Sequence, residues 1–168
     1  MAGANQMYDY HVWANGRVLR HLRELPDDVL YQEVQSVFPS IGATLSHVYV
    51  ADNLWLSAMS GDSTEAIRAS LPRFRDEVKD ASLAVFQSRF SEVADRYRVF
   101  FENRTDLEAY AEYQHPSHGT LRARYSDIVQ HVVNHGTYHR GNVTAMLWQL
   151  GHKGAATDYV LYLYSLAR

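Results

Sequence analysis

Gln130-His131-Val132-Val133-Asn134-His135-Gly136-Thr137-Tyr138-His139-Arg140-Gly141-Asn142 places three histidines at i, i+4 and i+8 in a run that otherwise reads as helix. A helix rises about 1.5 Å per residue, so His131 and His139 stand roughly 12 Å apart, too far for one ion, whereas either adjacent pair lies one turn apart and can chelate. Periodicity separates the two pairs. His139 falls in the apolar stripe Ile128, Val132, Val143, Met146 and Leu150, and His135, seven residues after Ile128, joins it. His131 instead shares a polar line with Asp127, Tyr138 and Asn142. His135 and His139 are therefore the favoured metal clip.

Working outward, this helix should run from Ser126 to Leu150, closed by Gly151. A first helix is predicted from Met7 to Leu25, stopped by Pro26, and a second from Ile41 to Met59 with Ser40 as its N-cap. Thr64 to Asp80, with Pro72 and mixed charges, reads as a loop with at most a short helical turn. A third helix is expected over Ser82 to Arg104, where Leu83, Phe86, Phe90, Val93, Tyr97 and Phe100 recur at helical intervals. Asp106 to Tyr125 alternates apolar and polar residues about the turn His115-Pro116-Ser117-His118-Gly119, a β-hairpin signal. A short helix over Asp158 to Ala167, with Thr157 as N-cap, ends the chain. The sum is an all-α four-helix bundle with a small β-hairpin and a short C-terminal helix, a single domain over residues 1–168. Bundles of this kind build metal sites from side chains on facing helices.

Composition narrows the function. The chain has no cysteine, which removes disulfides, thiolate metal sites and a cysteine nucleophile, so a transition-metal site must use histidine, carboxylate and water. The formal net charge of −3 gives no basic field for nucleic acid. No signal segment and no bilayer-length apolar run is evident, so a cytoplasmic protein without membrane partners is expected.

His47 on the second helix, flanked by Ala43, Thr44 and Ala51, is the best-placed third ligand. Three neutral imidazoles leave coordination positions open for water and substrate, as catalytic sites require and structural ones avoid. Rival motifs are absent: there is no His-Glu-x-x-His, and Glu112 to His115, the one Glu-x-x-His, sits at the hairpin turn. His11 and His21 read as solvated or core-edge residues, and His115, His118 and His152 as turn residues, with His115 able to reach over a bundle mouth. Asp52 lies roughly 140° round its helix from His47 and reads as an ion-pair or hydrogen-bonding residue rather than a general base.

Tyr10-His11-Val12-Trp13-Ala14-Asn15, Leu45-Ser46-His47-Val48 with Asp52 and Trp55, and His131 to Asn142 together resemble the DinB/YfiT-like metalloprotein superfamily, DinB branch. The resemblance covers nearly the whole chain. It implies an up-down-down-up bundle, usually a homodimer, holding one divalent transition metal ion, zinc or nickel, on His47, His135 and His139. His131, Tyr138 and Asn142 become candidates for the ligands' surroundings or the site entrance. Several branches resemble thiol-dependent transferases or isomerases, which implies a small-molecule substrate and a low-molecular-weight thiol cosubstrate. The expected function is a metal-dependent enzyme that activates a thiol or water for attack on a small electrophile, by S-transfer or hydrolysis. The alternative is a non-catalytic dimeric stress-related bundle with a structural or vestigial metal.

Overall fold

The computed structural model of the chain describes residues 3–115 and 117–167. Helix α1 (Ala4–Arg23) leads through a 3-10 turn (Asp27–Leu30) to α2 (Ile41–Met59), α3 (Thr64–Asp76) and α4 (Leu83–Glu102). A hairpin, β1 (Tyr110–His115) and β2 (Gly119–Arg124), precedes α5 (Tyr125–Gln149) and α6 (Tyr159–Leu166). Serines start three of the helices: Ser40, Ser63 and Ser82 side chains accept hydrogen bonds from the backbone N–H of Ala43, Ala66 and Val85. At the start of α5 Asp127 caps from inside the helix, its Oδ2 accepting from the Arg124 backbone N–H at 3.1 Å and from Arg124 Nε at 3.0 Å. Gly61 (φ 91°) and Gly151 (φ 82°) turn the chain out of α2 and α5 in the left-handed region that side chains disfavour.

Helix directions follow from paired contacts. Tyr8 stacks on Tyr97 with ring centroids 4.0 Å apart, and Arg23, one α1 length away, bonds Gln87, so α1 and α4 run antiparallel. Tyr49 packs against Phe90 while Asn53 meets Arg96, so α2 and α4 run parallel. His11 and Asn15 meet successive parts of α5 at Gly136 and Arg140, which makes α1 and α5 parallel. His47 faces His135 and Trp55 faces His131, so α2 and α5 are antiparallel. The order is up-down-down-up, with α1, α5, α2 and α4 around one core.

Parallel neighbours need a long crossover, and between α2 and α4 that crossover contains α3. The loop expected there is a helix of 13 residues. Pro72 removes one N–H from its hydrogen-bond ladder, but Phe74 (1 % exposed) is buried where α3 packs on α2, and Val78 just beyond is fully buried. Apolar burial and the Ser63 cap outweigh the break. The 26–40 connector contains the 3-10 turn.

The hairpin is antiparallel, pairing Tyr110 with Arg124 through His115 with Gly119, and it buries Tyr113 and Ala123. Helix α6 is capped at Asp158 rather than Thr157, without a side-chain bond. It lies on α1 through Tyr162 against Tyr10 and Trp13. The segment before it is tied to α1 by Tyr10 Oη and Arg17 Nε, which donate to the carbonyls of Thr157 and Ala156. Among the described residues no helix is long and apolar enough to cross a membrane.

Candidate metal centre

The antiparallel α2–α5 contact sets His47 opposite His135 and His139. His135 Nε2 lies 3.0 Å from His47 Nε2 and 3.2 Å from His139 Nε2. One nitrogen from each ring falls within 4.8 Å of the others, and among the described residues no further histidine or carboxylate joins the set. Nitrogens bound to one ion at about 2.0–2.1 Å, with bond angles between octahedral and tetrahedral, stand about 2.9–3.4 Å apart. The two separations at His135 lie in that interval, and the His47 and His139 nitrogens are within 4.8 Å of each other. The donor set therefore fits a divalent transition metal ion.

The surroundings keep these rings neutral. Burial, reinforced by the neighbouring imidazoles, pushes His135 down to about 3, and burial with His47 beside it pushes His139 down to about 4. Burial also lowers His47 from its ordinary value. Phe38, from the connector before α2, packs its ring 4.8 Å from His47 and 5.6 Å from His139. No periodicity pointed to Phe38, because a connector carries none.

Of the three expected neighbours, Asn142 has the closest polar contact: its amide lies 3.4 Å from His139 Nδ1. The amide nitrogen is the atom that faces the ring; exchanging the nitrogen and oxygen of this amide puts the proton on Nδ1 and leaves the Nε2 lone pair for a ligand role. Tyr138 is exposed and touches only the edge of His139, with centroids 4.9 Å apart. His131 rests edge-on to Trp55 at 4.9 Å, with its ring 6.0 Å from that of His135. His135 Nδ1 is buried without a hydrogen-bond partner. Beside His47 a cavity of about 520 Å³ opens between α2 and the segment after α3, lined by Tyr31, Ser46, Val50, Arg75, Lys79 and Asp80.

A second polar cluster lies on the adjoining face of α5, one residue on from each ligand position. His11, expected to be solvated or at the core edge, is 1 % exposed. Its Nε2 lies 2.9 Å from Asp52 Oδ2, and its Nδ1 lies 3.3 Å from Arg140 Nη1. Arginine is always a donor, so Nδ1 accepts and Nε2–H donates to the carboxylate. Arg140 also donates from Nη1 to Asn15 Oδ1 at 2.9 Å and from Nη2 to Thr137 Oγ1 at 2.8 Å. Tyr97 Oη donates to the backbone carbonyl of Asp52 at 2.9 Å, bringing in α4. Asp52 is thus the hydrogen-bonding residue expected, facing α1 and not the three histidines. His21 bonds the Lys153 carbonyl, and His115 Nδ1 accepts the N–H groups of Ser117 and His118 in its own turn instead of reaching over the bundle.

Fold and site together define a helical bundle whose three convergent histidines could hold a metal ion. A model of the DinB family matches residues 1–167, and the chain belongs to that family. Protein DinB of Bacillus subtilis (strain 168) is 40 % identical over 161 residues, covering 96 % of this chain and 94 % of that protein. The crystal structure of a DinB-like protein from Bacillus cereus ATCC 10987 shares the fold, with a TM-score of 0.52 and 18 % identity over 90 % of this chain and 93 % of that one.

Proposed function

We infer that the chain is a metal-dependent enzyme in which His47, His135 and His139 hold zinc or nickel and a thiol or water attacks a small electrophile. The observation that carries this is the convergence of three histidine nitrogens with no fourth histidine or carboxylate among the described residues, beside a cavity rather than a closed shell. A structural site in a bundle is normally closed by four protein ligands, whereas a catalytic one keeps a position open. A divalent ion in such a set supplies Lewis acidity, lowering the pKa of a thiol or water at neutral pH.

The chain's own residues do the rest. His135 and His139 stay unprotonated because burial holds them low. Phe38 covers one side of the cluster and limits water there. The cavity beside His47, with Arg75 and Lys79 and also Asp76 and Asp80 in its wall, offers partners to both ends of a small zwitterionic thiol. In the transfer, the sulfur electron pair forms the new bond to the electrophilic carbon. The leaving group departs with the pair of the bond that breaks, and the thiol proton passes to solvent. As a partner, a second copy of the chain is part of the same reading, supported by the exposed apolar residues Val160, Tyr164 and Leu166 on α6.

Metal content of purified protein tests the site. The wild type should carry close to one ion per chain, His47→Ala and His139→Ala should lose it, and His131→Ala should keep it. Unchanged metal in both ligand variants sinks the site. Turnover of a panel of low-molecular-weight thiols with small electrophiles, with and without added zinc or nickel, tests the chemistry; activity that ignores the metal refutes it.

A further inference from the structure

The hairpin shows an apolar side chain out of keeping with its face. Residues opposite each other in an antiparallel pair point to the same side, so the pairs Tyr113–Leu121 and Ala111–Ala123 share the face turned toward the helices. Tyr113 and Ala123 are buried there, at 6 % and 8 % exposed, yet Leu121 is 49 % exposed. The cause is a groove beneath it of about 870 Å³, walled by α2, the first half of α3 and the hairpin. Leu54, Trp55, Ala58, Ile67, Leu71 and Leu121 supply its apolar lining, and Glu65, Arg68, His115 and His118 stand among the polar residues around it. Its size and character are those of a small-molecule site, apolar within and carrying a few polar groups.

The groove is joined to the three histidines by one aromatic contact. Trp55 forms part of its wall and also meets His131, whose ring is 6.0 Å from that of His135. Trp55 follows His47 by eight residues on α2, about 12 Å along the helix. None of the three histidines lines the groove, so a molecule seated under Leu121 reaches the cluster only over the exposed His131, across roughly that length. A flat surface on a second copy is matched less well by this concave, three-walled slot than by the exposed face of α6.

We propose that the groove between α2, α3 and the hairpin binds the apolar, aromatic body of the electrophilic substrate, with its reactive end directed past Trp55 and His131 toward the three histidines. This rests on the enzymatic reading for its orientation, but the groove's occupancy can be measured without metal. The substrate class it selects is an elongated electrophile with one or two fused aromatic rings, not a compact polar one.

Titration with the fluorescent probe 1-anilinonaphthalene-8-sulfonate, on wild type, Ala58→Trp, Leu121→Glu and His47→Ala, is the test, with thermal melts to confirm that each variant is folded. Wild type and His47→Ala should bind with the same affinity, and each groove variant should bind about tenfold more weakly, the usual scale for losing one good apolar contact. Equal loss in His47→Ala with intact groove variants would move the ligand to the cluster and overturn the proposal. So would absence of saturable binding in wild type, or unchanged binding in both groove variants. If Leu121→Glu converts a dimer to a monomer by sedimentation and wild-type probe binding weakens as protein concentration rises, the groove is an interface between copies and the proposal fails. Where turnover is found, Ala58→Trp should raise KM for naphthyl electrophiles more than for methyl ones. Turnover lost in His47→Ala with probe binding kept separates the cluster's role from the groove's.

Discussion

Gly136→Ala should destabilise the protein although it replaces the poorest helix former but proline with the best. A Cβ at position 136 would lie 2.3 Å from His11 Cε1, 2.5 Å from His11 Nδ1 and 2.9 Å from Arg140 Nη1. His11 cannot simply retreat, since Asp52 Oδ2 holds its Nε2 at 2.9 Å on the far side. Forcing a methyl into a packed core costs about 1–3 kcal/mol, and breaking the His11–Arg140 contact in a buried site adds about 1–3 kcal/mol. The helix-propensity gain returns about 1 kcal/mol. The net loss is about 3 kcal/mol, a fall in Tm of about 6–12 °C for a chain of this size. Gly141, in the same helix with nothing within 4 Å of its Cβ position, is the internal control. There the same substitution keeps only the propensity term and should raise Tm slightly. Thermal melts by circular dichroism decide it. Changes of the same sign at both positions, or a Gly136→Ala protein as stable as wild type, refute the packing argument. Because the clash is with the imidazole, His11→Ala should soften the effect of Gly136→Ala in a double-mutant cycle.

Two further outcomes follow from the packing and electrostatics. In the metal-free protein, His135 and His139 remain neutral well below the pH at which the unfolded chain protonates its histidines, near 6.5. The unfolded state then binds more protons, so stability contributed at neutral pH is lost as pH falls from about 6.5 to about 4. The urea midpoint should drop across that window and His139→Leu should flatten the drop; a wild-type midpoint level from pH 6.5 to 4 contradicts the shifts. Phe74→Ala should cost about 3–5 kcal/mol as a large aromatic removed from a packed interior, read from urea denaturation, and a loss below about 1 kcal/mol would return residues 64–76 to the status of an exposed segment.

What could be read from the sequence followed signal strength. Helices α2, α4 and α5 carry long apolar stripes and clear caps, and their limits fall within one or two residues of the expected ones. The pair His135 and His139 was visible because a stripe that holds Val132, Val143 and Met146 orients its members inward. Helix α3 was hidden because Pro72 and its charges outweighed two apolar anchors, Leu71 and Phe74, whose value depends on an α2 surface that sequence does not display. His11 was misjudged for a related reason. An imidazole beside Tyr10 and Val12 has no local feature that distinguishes a core partner from a solvated residue; what buries it is Asp52, 41 residues on, and Arg140, 129 residues on. A buried arginine directly after a candidate ligand histidine is equally illegible until α1 supplies Asn15.

The arrangement of α5 links stability to the candidate metal centre. His135 and His139 face α2, while Gly136 and Arg140, each the next residue, face α1, so every residue of the clip has a backbone neighbour pinned from the other side. Arg140 cannot shift without losing bonds to His11, Asn15 and Thr137. On α2, His47 is fixed in a comparable way through Asp52, whose carboxylate binds His11 and whose carbonyl takes the Tyr97 hydroxyl. The polar cluster therefore acts as a strut between the two helices that carry the candidate ligands, with His11 at its centre: Arg140 holds one side of the ring and Asp52 the other. A strut of that kind helps fix the spacing of α2 and α5, so that the histidine nitrogens already meet at a distance that could hold an ion, which lowers the ordering cost binding would carry. It also explains why a glycine stands at 136. The ring at the centre of the strut must lie against the α5 backbone to reach both partners, and a helix bearing any side chain there would hold His11 away from one of them.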